Sequence, residues 1–510
     1  MEPNAMQQPY PWFEPVFDGS LEAPLDLQYD LPDYCPEIQK LLKCRVTPQV
    51  SSCVATQDGL QCEGICDVRV LYLDSKGSGL RSCQFTKEFS AVGKLKGSGD
   101  LAVTAAAASV SHLTCRASGA RRIEIHAAVS LEALAVCQRT LELPAALEGE
   151  ALEVRSQTLE GYQAVNAVSH SFQVEDQIPL KNGKPPVDAI LRWDAACRVS
   201  EVRVEEEQIR AAGAVEVSFL YLPAGEGGPE TMSASLSFSQ AIACNGVGEG
   251  CLCWLRAYPG ECSIQPREDD MGENTSVSVT VKLTVLALLY KPCEVHLLED
   301  AYSRTRPLNL RWEQGTFLRQ AETVSQVCKK KVTMSLGGEE IRRVVDLWQE
   351  QSTVQAVTEQ GALSFRAKWN LCLLYENAQG KLCCAEKSCD AAFPAEGAGV
   401  PGGKCRVWGR TNLWEYRIVD RNAVEVSTET EVSALVCREE ERRFLTGAPS
   451  KENVPAYPKE HKLLVVYASQ GESLWEIGKS HRASMEELRA LNGLAEDALP
   501  DRRPIIICNR

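Results

Sequence analysis

Apolar and polar residues alternate at period two in several stretches of this chain, and these stretches come in threes. Residues 122–129, 276–283 and 423–430 alternate in this way, which predicts half-buried strands. A second triplet of strands is predicted at 67–73, 215–222 and 370–375. It carries Tyr72, Tyr221 and Tyr375, which stand 149 and 154 residues apart. Turn-rich loops follow at 74–79, 223–228 and 376–380, where a hairpin is expected. Each unit is prefaced by a short apolar segment compatible with a helix, at 36–46, 187–193 and 341–348. A period of this length decides the architecture. The expected fold is mainly β, with three tandem β-sandwich-like repeat domains at 31–185, 186–338 and 339–447, the third shortened. An N-terminal arm, 1–30, precedes them, and a linker, 448–460, follows.

The pattern changes after the linker. Residues 461–467 read as a strand, and Gly471-Glu472-Ser473-Leu474-Trp475-Glu476-Ile477-Gly478 as a turn running into a helix. Ser484 followed by Glu487 is a capping box for a second helix that stops at Asn492-Gly493, and residues 504–508 supply a closing strand. Leu474, Ile477, Leu488 and Leu491 fall at core-facing helical spacings. Trp475 lies one step round from Leu474, at the boundary of that face, where an indole packs a groove edge or meets a partner. Gly471 suits the turn's backbone, and Asn492 suits a helix cap.

Strand, helix, helix, strand in residues 461–510, with these turn residues, resembles the LysM domain, a small α+β module. The resemblance implies a groove for N-acetylglucosamine chains. Glu472 and Ser473 replace the family's commoner Asp and Thr, however, and Asp501 stands in place of the glycine of its usual Pro-Gly turn. The candidate partner-binding residues are Leu463, Gly471, Glu472, Ser473, Trp475 and Asn492.

With 54 Lys and Arg against 69 Asp and Glu, the chain carries a formal charge of −15. The excess lies before residue 461, because the last fifty residues hold seven basic and seven acidic groups. Such a surface repels phosphate backbones, so nucleic acid is not an expected partner. The first ten residues have no basic or apolar signal region, and the longest apolar run, 281–290, is interrupted and short. No membrane span and a cytoplasmic location are therefore expected, with the 22 cysteines as free thiols.

Chemistry is sparse. Cys62 and Cys66 have loose zinc spacing, but no second knuckle follows, and small buried hydrophobes are the preferred reading of the cysteines. The six histidines fall in no nucleophile-base or metal signature, and no phosphate-binding glycine loop occurs. No enzyme, cofactor or metal is expected.

Residues 31–44, Leu-Pro-Asp-Tyr-Cys-Pro-Glu-Ile-Gln-Lys-Leu-Leu-Lys-Cys, resemble the opening of clostridial proteins that carry repeated copies of one domain ahead of a C-terminal LysM. These are the SipL-like spore coat morphogenetic proteins, similar in plan to SpoVID. The resemblance implies a non-enzymatic coat scaffold in the mother cell, at the forespore surface. Its LysM would grip the coat-basement ATPase SpoIVA, and its repeats would hold other coat proteins. The alternative is a protein that binds peptidoglycan or cortex glycan through its LysM.

Overall fold

The computed structural model describes residues 4–75, 79–97, 102–149, 151–181, 183–225, 227–359, 362–397, 403–451 and 462–509. Among them the chain forms twenty strands and two helices, so the fold is mainly β and built from several sheets. A first set of strands runs β1 (Asn4–Asp30), β2 (Ile38–Thr56), β3 (Gly59–Asp74), β4 (Leu80–Gly93), β5 (Val103–Ala117) and β6 (Arg122–Glu148). The same succession follows in β7 (Leu152–Pro179), β8 (Val187–Glu205), β9 (Gln208–Pro223), β10 (Glu230–Ala243), β11 (Leu252–Arg267) and β12 (Ser276–Ser303). It recurs in β13 (Arg311–Ser335), β14 (Ile341–Glu359), β15 (Ala362–Asn377), β16 (Leu382–Pro394), β17 (Lys404–Asp420) and β18 (Ala423–Gly447). The C-terminal module is β19 (Lys462–Ala468), α1 (Leu474–His481), α2 (Met485–Asn492) and β20 (Arg503–Asn509).

In each set the long first and last strands pair antiparallel, as from Asn4 with Glu148 to Asp30 with Arg122, and the fifth strand adds to the last. The middle three strands form a meander. Alternate side chains of both layers meet in one core, with Val16 and Leu25 of β1 packed among Val68, Tyr72, Phe89, Ile123 and Ile125. The other two sets have equivalent cores. The second and third sets join in a six-stranded sheet through one residue pair, Leu318 with Tyr162.

The tyrosines singled out in the sequence have equivalent tasks. Tyr72 donates to the Pro36 carbonyl at 3.2 Å, Tyr221 to the Pro185 carbonyl at 3.1 Å, and Tyr375 to Glu339 Oε2 at 2.6 Å. Each hydroxyl reaches back 36 residues to the start of its own meander, which fixes the meander's depth in the layer.

Three expectations change. Residues 4–30 are not an arm but β1, fully paired with β6. Their prolines, at 9, 11, 15 and 24, are tolerated because β1 lies at a sheet edge, where a missing N–H costs no ladder bond. The cuts at 186 and 339 would split single cores, since Val174 and Ile178 of β7 pack with β8 and β9, and Val324 and Met334 of β13 pack with β15. The third set is therefore not shortened, because β13 is its first strand.

The apolar segments read as helices are the starts of β2, β8 and β14. Register shifts fall at Ile38/Lys40 and Leu41/Lys43, at Val187/Ala189 and Ile190/Arg192, and at Ile341/Arg343 and Val344/Asp346. Each bulge inserts one residue, so a strand's period of two becomes a local spacing of three, which imitates a helix. Loop residues 76–78 and 226, linker residues 452–460, and residues 1–3, 461 and 510 lie outside the described residues.

The three meanders meet at a shared centre. Leu71, Leu220 and Leu374 cluster there with Leu191, Val345 and Trp348. The residues just past the second bulge of each set, Lys43, Arg192 and Asp346, also point into this centre. Arg192 binds Asp346 at 2.8 Å with both side chains buried, and Lys43 meets Glu350 at 3.0 Å. The Arg192 guanidinium also lies 4.7 Å from the Trp348 ring centre.

Candidate functional site

The C-terminal module folds as its pattern indicates. Ser473 caps α1 by accepting from the Glu476 N–H, and Ser484 caps α2 by accepting from the Glu487 N–H. Gly493, at φ 63°, ends α2 in the left-handed conformation. Leu474, Ile477 and Leu488 are buried with Ile505 and Ile507 of β20. Leu491, expected in that core, is exposed instead.

The six candidate residues do not form one cluster. Gly471 holds φ 79° in the turn after β19. Glu472 closes that turn, its carboxylate accepting from the Ser469 N–H at 2.9 Å. The turn is tied to the segment before β20 by Gly471 N to Leu499 O, Leu499 N to Glu472 O and Leu474 N to Asp497 O. Asp497 also accepts from the Ser473 hydroxyl and the Trp475 N–H, both at 2.8 Å. Asn492 Nδ2 donates to the Leu488 and Ile506 carbonyls, and its Oδ1 accepts from the Ile506 N–H. The Asn492 amide thus ties the end of α2 to β20.

Trp475 does lie at the boundary of the module, and the same chain covers it. The indole is only 4% exposed, and its Nε1 donates to Asp300 Oδ2 at 2.8 Å. Lys479, one turn on, places its ammonium 2.6 Å from the same oxygen. The Tyr302 ring meets the indole edge-on at 5.0 Å between centroids, and its hydroxyl donates to the Ala483 carbonyl at 2.7 Å. Burial pushes the Tyr302 hydroxyl well above its ordinary pKa, so it remains a donor at neutral pH. Arg155 of β7 lies 5.9 Å from the indole centre. Close approach depends on Gly478, where a Cβ would stand 2.8 Å from the Tyr302 hydroxyl. A bulge between Leu298 and Asp300 aims this end of β12 at the module. Asp300, Tyr302 and Arg155 are far from the module in sequence, and the only sign of them was an indole that required a cover.

The opposite face of the module is open. Leu463, Val465 and Tyr467 alternate along β19, and Ile506 lies across from Val465 on β20. Leu463 and Tyr467 are 73% and 74% exposed, and Val465 and Ile506 are also exposed. Of the six candidates, Leu463 alone belongs to this apolar surface.

Elsewhere, a cavity of about 680 Å³ lies where the three sets meet, bordered by Arg45, Cys53, Tyr258, Glu350, Trp408 and Arg410. Arg45 and Arg410 both approach Asp194, at 3.0 and 3.5 Å. Partial burial opposes the Asp194 charge, but these arginines and Arg192 outweigh it and hold the carboxyl below its ordinary pKa. Among the described residues no group of three or more His, Cys, Asp or Glu is placed to hold a metal, and no helix is long and apolar enough to cross a membrane.

No curated protein and no solved structure matches the chain. Residues 186–266, which run from β8 through most of β11, match the family model described as SipL, SPOCS domain, and this match supports a SipL-like family for the chain.

Proposed function

We propose that this chain is a non-enzymatic scaffold of spore coat morphogenesis, built from three repeated β-sandwich domains and a C-terminal LysM domain. The reading rests on the SPOCS match at 186–266. The recurrence of the same six-strand succession on either side of the matched segment supports extending it to all three sets. The repeats hold other coat proteins, and the LysM domain grips a SpoIVA-like coat-basement protein.

The contact is assigned to the open sheet face of the module, with Leu463, Val465, Tyr467 and Ile506. Four apolar side chains side by side in water are what a protein partner would cover. Trp475 reaches a partner only if the module leaves its seat on Asp300 and Tyr302.

The test is capture of a SpoIVA-type protein by the full chain, with peptidoglycan as competitor. Tyr467→Glu is expected to weaken capture about 30- to 1000-fold, the loss of roughly 2–4 kcal/mol typical of a central interface aromatic. Undiminished capture by Tyr467→Glu refutes this face. Preference of the wild-type chain for peptidoglycan refutes the protein partner.

A further inference from the structure

In the first set, Cys53 of β2 and Cys62 of β3 are direct cross-strand partners in a tight hairpin. Their sulfur atoms lie 3.1 Å apart. The corresponding pairs are Val202 with Ala211 in the second set and Ala356 with Phe365 in the third. Ordinary apolar residues therefore satisfy the packing at this position, and a pair of thiols is not needed for it. Cys62 is fully buried, whereas Cys53 is partly exposed and borders the central cavity. The Cys53 carbonyl accepts from the Thr104 hydroxyl at 2.5 Å, which anchors this part of β2 to β5.

We propose that Cys53 and Cys62 form a disulfide-forming site, oxidised by small organic disulfides that arrive through the cavity at Cys53. With the sulfur atoms already 3.1 Å apart, a small rotation of the two side chains brings them to the bonding distance of about 2.05 Å.

The exchange balances without any group from the protein besides these two. Cys53 thiolate attacks one sulfur of the reagent, whose S–S bond breaks, and one reagent thiolate leaves and takes up the proton that Cys53 gave up. Cys62 then loses its proton and attacks Cys53 Sγ, the mixed disulfide breaks, and the second reagent thiolate leaves with that proton. The protein gives up two hydrogens and two electrons, and the reagent becomes two thiols. The site does not depend on the coat reading.

The experiment treats reduced full-length protein with hydroxyethyl disulfide, blocks remaining thiols with N-ethylmaleimide in acid, and cleaves at Asp58, between the two cysteines. The expected result is that the fragments bearing Cys53 and Cys62 stay joined until reduced, while Cys66 on the same strand carries maleimide. In Cys62→Ala, which copies the second set, Cys53 should stop as the mixed disulfide. In Cys53→Val, Cys62 should remain unreacted. A wild-type chain in which Cys53 stays a mixed disulfide, or in which either cysteine is joined to a different one, overturns the proposal. If one variant fails to fold, the wild-type mapping and the other variant still decide.

Discussion

Two joints in this molecule use the same three kinds of group and differ in how they are sealed. At the centre of the strand sets, Arg192 and Asp346 pair beside Trp348, with the two charged side chains only 3% and 7% exposed and leucines of all three sets around them. Where the C-terminal module is seated, Lys479 and Asp300 pair beside Trp475, with the aspartate side chain 12% exposed and the lysine side chain 37%. A buried ion pair contributes little net stability, but breaking it strands a charge in low dielectric. A pair whose cation reaches water is weaker and screened by salt, and here the Trp475 indole N–H still holds the carboxylate when the cation is lost. The central joint should therefore hold until the whole molecule unfolds, whereas the module's seat should open alone, carried mainly by its tryptophan.

The hardest blow to that contrast is Asp346→Ala, which leaves Arg192 buried without its carboxylate. It should destabilise the strand sets by about 3–5 kcal/mol, read as an earlier unfolding midpoint in urea. A change below about 1 kcal/mol would mean that water reaches this centre. Trp475→Ala should remove about 3 kcal/mol of packing, within the range for truncating a large aromatic. Amide exchange should then accelerate in α1 and at the end of β12, with the strand sets protected as before, and acceleration throughout the chain would erase the distinction between the joints. Acid should act on the centre through Asp194. Its folded pKa is depressed, so its contribution is complete above the ordinary carboxylate value of about 4 and is lost as the pH falls through the folded value. A stability profile flat from pH 5 down to pH 2 would contradict the Arg45 and Arg410 pairing. Lys479→Met should have the least effect, about 0–1 kcal/mol, and raising salt should mimic it at the module without touching Arg192.

How much of this was legible depended on whether the signal was local. The strands at 67–73, 215–222 and 370–375 lie inside β3, β9 and β15, and the tyrosine spacing reported a real equivalence of their hydrogen bonds. Caps at Ser473 and Ser484 were readable because a cap is chosen by residues within four positions. Strands β2, β8 and β14 were misread because paired bulges disguise period two, and β1 because its prolines suit a sheet edge that only distant pairing with β6 creates. Trp475 could be placed at the boundary of its helix, but no pattern around residue 475 names Asp300 or Tyr302. The open face at Leu463, Val465 and Tyr467 was not legible, because residues 463–467 read as one continuous apolar run and which side of a two-stranded sheet stays uncovered is decided by where both helices pack.

Tyr10 adds a dimension of time. Its hydroxyl donates to the Tyr162 carbonyl at 2.9 Å and accepts from the Leu318 N–H at 3.1 Å, the two residues through which the second and third sets join. A side chain that leaves the ribosome before both of its partners thus finishes a seam whose other half is synthesised 308 residues later. During synthesis β1 can settle against β6, but the Tyr10 ring has no finished socket until β13 arrives. Nascent chains stalled before residue 318 should therefore expose Tyr10 to solvent and to chaperones. Strand β1 is made early and secured late, so the seam between the sets should close only after β13 has been synthesised rather than as each set emerges.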